Sequence, residues 1–167
     1  RTSSFTRHHG HASLSKAKIN GNYVNSMMAL QEALNEGYDE ALMLDIKGFV
    51  SEGSGENIFI VTENTIYTPD LSSALPGITR DTIFTLAQAI GYEIVEKNIT
   101  CDDIYNADEA FFTGTAAEVT PIRELDGRKI GRGTRGPVTQ KLQSLYFDCV
   151  HGRNNQYLYW LAKGRCE

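Results

Sequence analysis

Residues 40–69 read EALMLDIKGFVSEGSGENIFIVTENTIYTP, and this stretch decides the fold class. Short apolar runs alternate with the turn signals Lys47-Gly48, Gly53-Ser54-Gly55 and Glu63-Asn64, the pattern of consecutive antiparallel strands in a meander. On both sides the period becomes helical. Upstream, VNSMMALQEALNEGY places Val24, Met27, Met28, Gln31 and Leu34 at near-helical spacing, predicting a helix that buries this stripe, capped by Asn22 and ended by Gly37. Downstream, SSALPGITRDTIFTLAQAIG begins as a Pro-Gly loop and becomes a helix with Ile83, Leu86, Ala87 and Ile90 on one face, closed by Gly91.

The remaining chain continues the mixture. A strand is expected in YEIVEKNI, a short helix near DDIYNAD, a strand in EAFFTG, and a hairpin in EVTPIRELDGRKI turning at Asp126-Gly127. A last helix starts at Pro137, and the aromatic tail NNQYLYWL is expected to pack back onto the body. The fold class is therefore α+β, with mixed, largely antiparallel sheets and flanking helices. With 167 residues and no repeat or linker, one domain is expected.

Composition narrows the function. Hydrophobic residues at 41% and charged residues at 22% indicate a folded globular chain. A net charge of -5 supplies no electrostatic reason for nucleic acid or an anionic membrane as partner, which points to small-molecule chemistry. No stretch has the roughly 20 apolar residues of a membrane span, and RTSSFTRHHGHASL lacks the apolar core of a signal peptide, so the cytoplasm is the expected setting. Cys101, Cys149 and Cys166 form no Cys-x-x-Cys pair, so neither a disulfide framework nor a zinc site is indicated. His8, His9 and His11 have no carboxylate or cysteine pattern beside them and read as exposed polar residues, with no metal expected. The chain opens on Arg1, and TSSF reads like the interior of a strand, so a fragment of a longer protein is expected.

Four short stretches carry the candidate chemistry. EGSGEN, 52–57, is either a tight turn or flexible backbone that aims Glu52 and Glu56 into a cavity; it lacks the strand-to-helix context of a dinucleotide fingerprint. In ALPGITRD, Gly77 permits close approach, and the amides of Ile78 and Thr79 lie at a helix start that suits an anion; alternatively Thr79 is a plain cap. TGTAAE, 113–118, is a second small-residue loop after a strand. In KAKINGNYVNS, 16–26, an isolated lysine near a helix start normally just points to water. Together, however, Lys18, Tyr23, Glu52, Ile78, Thr79 and Thr115 supply an amine, a phenol, a carboxylate and phosphate donors. That is the inventory of a pyridoxal phosphate site.

In order along the chain, SSF, AKINGNYVNS, EALMLD, SEGSGENIFIV, LPGITRD, DEAFFTGTAAEVTPI and RGPVTQKLQ resemble the class IV, fold-type IV pyridoxal phosphate aminotransferases. The likeness is strongest to the branched-chain amino acid aminotransferases and covers nearly the whole chain. It implies the large cofactor-binding domain of the D-amino acid aminotransferase-like fold over residues 1–167, without the smaller N-terminal domain of complete members. It also implies that Lys18 rather than Lys16 carries pyridoxal 5'-phosphate covalently, that Glu52 pairs with the pyridine nitrogen, and that Tyr23 bonds the ring oxygen. By the same resemblance Leu75 packs against the ring, Ile78, Thr79 and Thr115 hold the phosphate, and the Thr115-Ala116 backbone faces the substrate carboxylate. Glu56 and Asn57 take a supporting role.

The implied reaction is transamination of leucine, isoleucine and valine with 2-oxoglutarate by a homodimer or higher homo-oligomer. D-amino acid aminotransferases and aminodeoxychorismate lyases of the same fold share the lysine and glutamate, and a non-catalytic cofactor-binding fragment is a further alternative. A lysine that acts as nucleophile and proton carrier needs a neutral form available, which burial favours.

Overall fold

Strand Asn57–Thr62 (β3) is the centre of a five-stranded sheet, with both of its edges occupied. On one edge lies Thr65–Thr68 (β4), reached through a turn with Glu63 at positive φ; on the other lies Glu109–Gly114 (β6), in register with Asn57 opposite Thr113. Glu93–Glu96 (β5) adds beyond β4 and Glu118–Pro121 (β7) beyond β6, for the order β5-β4-β3-β6-β7. All neighbours are antiparallel except β4 and β5, which are joined by helix Ile78–Ala89 (α2) as a parallel pair requires. The structure, a computed structural model, describes residues 1–8, 14 and 16–162.

The expected meander is interrupted at its middle. Leu42–Leu44 (β1) and Val50–Gly53 (β2) pair with each other and form a separate two-stranded sheet. A tight turn in which the Gly53 amide donates to the Glu56 carbonyl at 2.7 Å then leads into β3. With β4 and β6 on its two edges, β3 has no ladder left for β2. The expected hairpin over 118–130 is similarly divided. Its first part is β7, bound to β6, while Glu124–Leu125 (β8) and Arg128–Lys129 (β9) form a two-residue hairpin closed by Asp126 and Gly127, both at positive φ.

Period-two alternation explains the two main cores. Phe59 and Val61 of β3 face α2 and the last helix, Pro137–Val150 (α4), where Ile83, Leu86, Leu142 and Tyr146 are buried with Phe111 of β6. Ile58 and Ile60 face the opposite way with Phe112, Val50 and Ile104 of the short helix Cys101–Tyr105 (α3). That helix begins with a reciprocal capping box between Thr100 and Asp103. The α2 face expected from the sequence is thus the buried one, with Ile90 partly buried at its end. Of the aromatic tail, Tyr157 is buried against the first core and stacked on Trp160, whereas Leu158 and Tyr159 are exposed.

The first helix, Val24–Asn35 (α1), forms where expected but turns the other way. Val24, Met27, Met28, Gln31 and Leu34 are exposed, and Ser26, Ala29 and Ala33 are buried. The small residues let the helix lie close over Ala41 and Met43, with Ser26 Oγ 3.6 Å from Met43 Sδ. Asn22 does not cap it either: its amide donates to the carbonyls of Leu14 and Ala17, and the chain enters α1 from a 3-10 turn over Asn20–Tyr23.

Glu109 is a structural carboxylate with no local sequence signal. Buried at the start of β6, it accepts the amides of Val138 and Thr139 at 2.9 and 2.7 Å and the Thr139 hydroxyl at 2.7 Å, serving as a long-range cap for α4. Gly136 is required beside it, because a Cβ there would lie 2.1 Å from Glu109 Cδ. Glu109→Gln replaces a charged acceptor by an amide facing helix donors. Urea unfolding is expected to show a loss of about 1–3 kcal/mol; an unchanged midpoint would refute the capping role.

Candidate functional site

A cavity of about 190 Å³ opens where the end of β2, the starts of β3 and α2, and the end of β6 converge. Its wall includes Lys18 and Tyr23 from the segment entering α1, Glu52 from β2, Leu75 and Ile78 with Thr79 around the α2 start, and Thr115 after β6. Seven of the eight residues to which the resemblance gives a direct cofactor or substrate role therefore meet in one place, and the supporting Glu56 and Asn57 line the same cavity. The eighth, Ala116, is exposed and lies outside the wall. A larger hollow of about 390 Å³ over Leu42, Ile58 and Phe112 holds none of the eight.

The α2 end of the cavity is set by backbone geometry. Gly77 occupies the N-cap position in extended conformation, with no side-chain cap, so Ile78 and Thr79 are the first two helical residues. Thr79 is therefore not the cap, which removes that alternative. Amides of the first helical turn have no intrahelical acceptor, and the helix dipole adds positive potential there. Thr79 is buried, while Ile78 is 86% exposed.

Glu52 forms another part of the wall, against the loop that precedes α2. Its carboxylate is buried; Oε1 lies 2.6 Å from Arg7 Nε and Oε2 accepts the Leu75 amide at 2.9 Å. The Arg7 contact is a buried ion pair. Burial pushes the Glu52 carboxyl above its ordinary range, opposed by the Arg7 charge, the Leu75 amide and the Lys18 charge.

Lys16 and Lys18 are both exposed and both line the cavity. Lys18 is the one whose charge acts on Glu52. The expected burial of Lys18 is not supplied by the described residues.

The amino-transferase class IV family matches residues 1–125. The chain belongs to the class IV aminotransferases. It is 64% identical over 160 residues to the branched-chain-amino-acid aminotransferase of Pseudomonas aeruginosa, covering 96% of this chain and 52% of that relative. It is 47% identical over 164 residues to a probable branched-chain-amino-acid aminotransferase of Aquifex aeolicus, covering 97% of this chain and 53% of that one. Among solved structures, a branched-chain amino acid aminotransferase from T.th., complexed with N-(5'-phosphopyridoxyl)-L-glutamate, superposes with a TM-score of 0.95 at 49% identity, over 96% of this chain and 55% of that one. The chain thus spans about half the length of the curated relatives it matches.

Within this class IV aminotransferase chain, EGSGEN answers to both readings offered for it. It is a tight turn, and it delivers Glu52 and Glu56 to the same cavity. Burial and the neighbouring Glu40 carboxylate push Glu56 up to about 7, so this second acid changes charge near neutrality. His8, expected to be exposed, is partly buried beside Arg7, and burial and that guanidinium lower its pKa; His9 and His11 lie outside the described residues. Among the described residues no three His, Cys, Asp or Glu side chains form a group able to hold a metal ion, and no helix is long and apolar enough to cross a membrane.

Arg7 is the residue that sequence reasoning missed. A buried carboxylate needs a counter-charge, which signals that a cation must exist, but nothing local identifies a residue 45 positions upstream (52 − 7 = 45). The backbone accomplishes the approach: the Arg7 amide donates to the Leu44 carbonyl at 2.7 Å, laying the opening segment along β1. Thr113 was also missed. It lines the cavity, and its hydroxyl is buried with no protein partner among the described residues.

Proposed function

We propose that this chain is the large cofactor-binding domain of a branched-chain amino acid aminotransferase, which binds pyridoxal 5'-phosphate and transfers the amino group of leucine, isoleucine or valine to 2-oxoglutarate. The observation that carries this reading is the single cavity in which an amine, a phenol, a buried carboxylate and a helix N-terminus converge. These groups match the cofactor's functional groups, and Thr113, whose buried hydroxyl has no partner among the described residues, is a further lining residue.

Bound there, pyridoxal phosphate would supply an electron-withdrawing ring that makes the α-hydrogen of an amino acid acidic. This chain's own residues provide the rest. The Ile78 and Thr79 amides and Thr115 hold the phosphate at the positive end of α2. Glu52, with Arg7 behind it, would retain a proton on the pyridine nitrogen, Tyr23 would orient the ring oxygen and Leu75 would support the ring face. Lys18 Nζ would anchor the cofactor covalently and, as a free amine, would hold and move the α-proton as general base and acid. The Thr115-Ala116 backbone receives the substrate carboxylate.

The test uses the natural protein that carries this sequence. After reduction of the cofactor complex with borohydride and proteolysis, the mass label is expected on Lys18, and L-leucine, L-isoleucine and L-valine are expected to yield glutamate from 2-oxoglutarate. Label on Lys16 overturns the anchor assignment. Turnover of D-alanine with none of the branched-chain L-amino acids overturns the substrate assignment.

A further inference from the structure

The peptide of Leu75 is gripped at both ends. Its N–H donates to Glu52 Oε2 at 2.9 Å, and its carbonyl accepts from Asn57 Nδ2 at 2.8 Å. Asn57 is only 6% exposed and belongs to β3, where it lies opposite Thr113 in the ladder with β6. The other half of its amide reaches further along the same loop. A Cβ built on Gly77 would sit 2.2 Å from Asn57 Oδ1, so the amide oxygen occupies the space that any larger residue at 77 would need.

One side chain therefore spans Leu75, Pro76 and Gly77, holding the first and packing on the third. Pro76 between them has restricted φ, and Gly77 is the N-cap of α2. The carbonyl of Gly77 accepts the Asp81 amide at 3.1 Å, so the loop passes directly into the helix whose first residues line the cavity. A donor set held in place before its ligand arrives loses less conformational freedom on binding than one that must be ordered at that moment.

We propose that Asn57 is a positioning residue that latches the 75–77 loop to the central sheet and thereby presets the α2 amides for the phosphate group of the cofactor. The proposal rests on the pyridoxal phosphate reading above and deepens it. Through the Leu75 amide the same loop also holds the Glu52 carboxylate, so Asn57 acts on binding through the loop backbone.

The test compares two probes on the apo form of the natural protein: pyridoxal 5'-phosphate, and pyridoxal, which lacks the phosphate. Asn57→Ala is expected to weaken equilibrium binding of the phosphorylated probe about tenfold, the size of one lost hydrogen bond, and to change pyridoxal binding less than about twofold. Gly77→Ala reaches the same joint from the other side and gives an independent measurement should Asn57→Ala fail to fold. It is expected to produce the same phosphate-selective loss, and the loss is expected to be smaller in the Asn57→Ala background, where the clashing amide is gone. Equal weakening of both probes, or no weakening of either, overturns the latch while leaving the cofactor reading intact. Failure of the unsubstituted protein to bind pyridoxal phosphate overturns both.

Discussion

Lys18→Ala is expected to leave a folded protein whose turnover has fallen on the order of 10⁴-fold or more, because in the proposed mechanism one side chain supplies both the covalent anchor and the base. The structure favours a clean experiment. Lys18 is exposed on the segment before the 3-10 turn, so truncating it removes little packing, and a stability change within about 0.5 kcal/mol is expected. Lys16 is the natural control, as it lines the same cavity two residues away. Lys16→Ala is expected to retain turnover within about twofold, since only an amine at the reacting atoms contributes to the proton transfer. The measurement is glutamate formation from L-leucine and 2-oxoglutarate in the natural protein, beside a urea unfolding curve for each variant. Equal losses of turnover in the two would remove the reason for preferring Lys18.

Glu52→Gln has two consequences that can be separated. The first is catalytic: a neutral amide no longer holds a proton on a pyridine nitrogen, so turnover is expected to fall roughly 10²–10⁴-fold, the usual range for a lost acid–base partner. The second is structural. Arg7 and Glu52 are both buried, and removing one charge leaves the other without its partner, a loss of about 3–5 kcal/mol for such pairs. Replacing both, as Arg7→Met with Glu52→Gln, removes the orphaned charge and is expected to recover much of the stability while the turnover stays low. Unfolding free energies and kcat for the single and double variants distinguish the two effects. Normal turnover in Glu52→Gln would sink the proposed role of the carboxylate, and recovery of turnover in the double variant would show that the defect was only one of folding.

Legibility followed the range of the interactions involved. EAFFTG is a strand in both sequence and structure because its alternating residues face two different cores, Phe111 one way and Phe112 the other. The α2 face was equally legible, since Ile83, Leu86 and Ala87 have a single apolar sheet to pack on. α1 was legible as a helix but not in its orientation. Its large apolar residues mark one face and its small residues another, and close approach to Ala41 and Met43 selects the small ones. The meander failed at 53–57 for a different reason: strand periodicity says nothing about which neighbour takes an edge, and β6, some fifty residues on (109 − 57 = 52), takes the edge of β3.

The candidate site divides along the same line. From the sequence alone came the chemistry: a lysine before a Gly-Asn-Tyr turn, acids around a glycine turn, and a Pro-Gly loop opening a helix, since each is written in a few adjacent residues. Only the tertiary structure decided that these stretches share one cavity, that Thr79 lies inside the helix rather than capping it, and that Glu52 stands against Arg7 while Asn57 holds the Leu75 loop. Those facts depend on which buried groups find partners across the chain. A buried carboxylate or carbonyl must be satisfied by something, but sequence distance does not say by what.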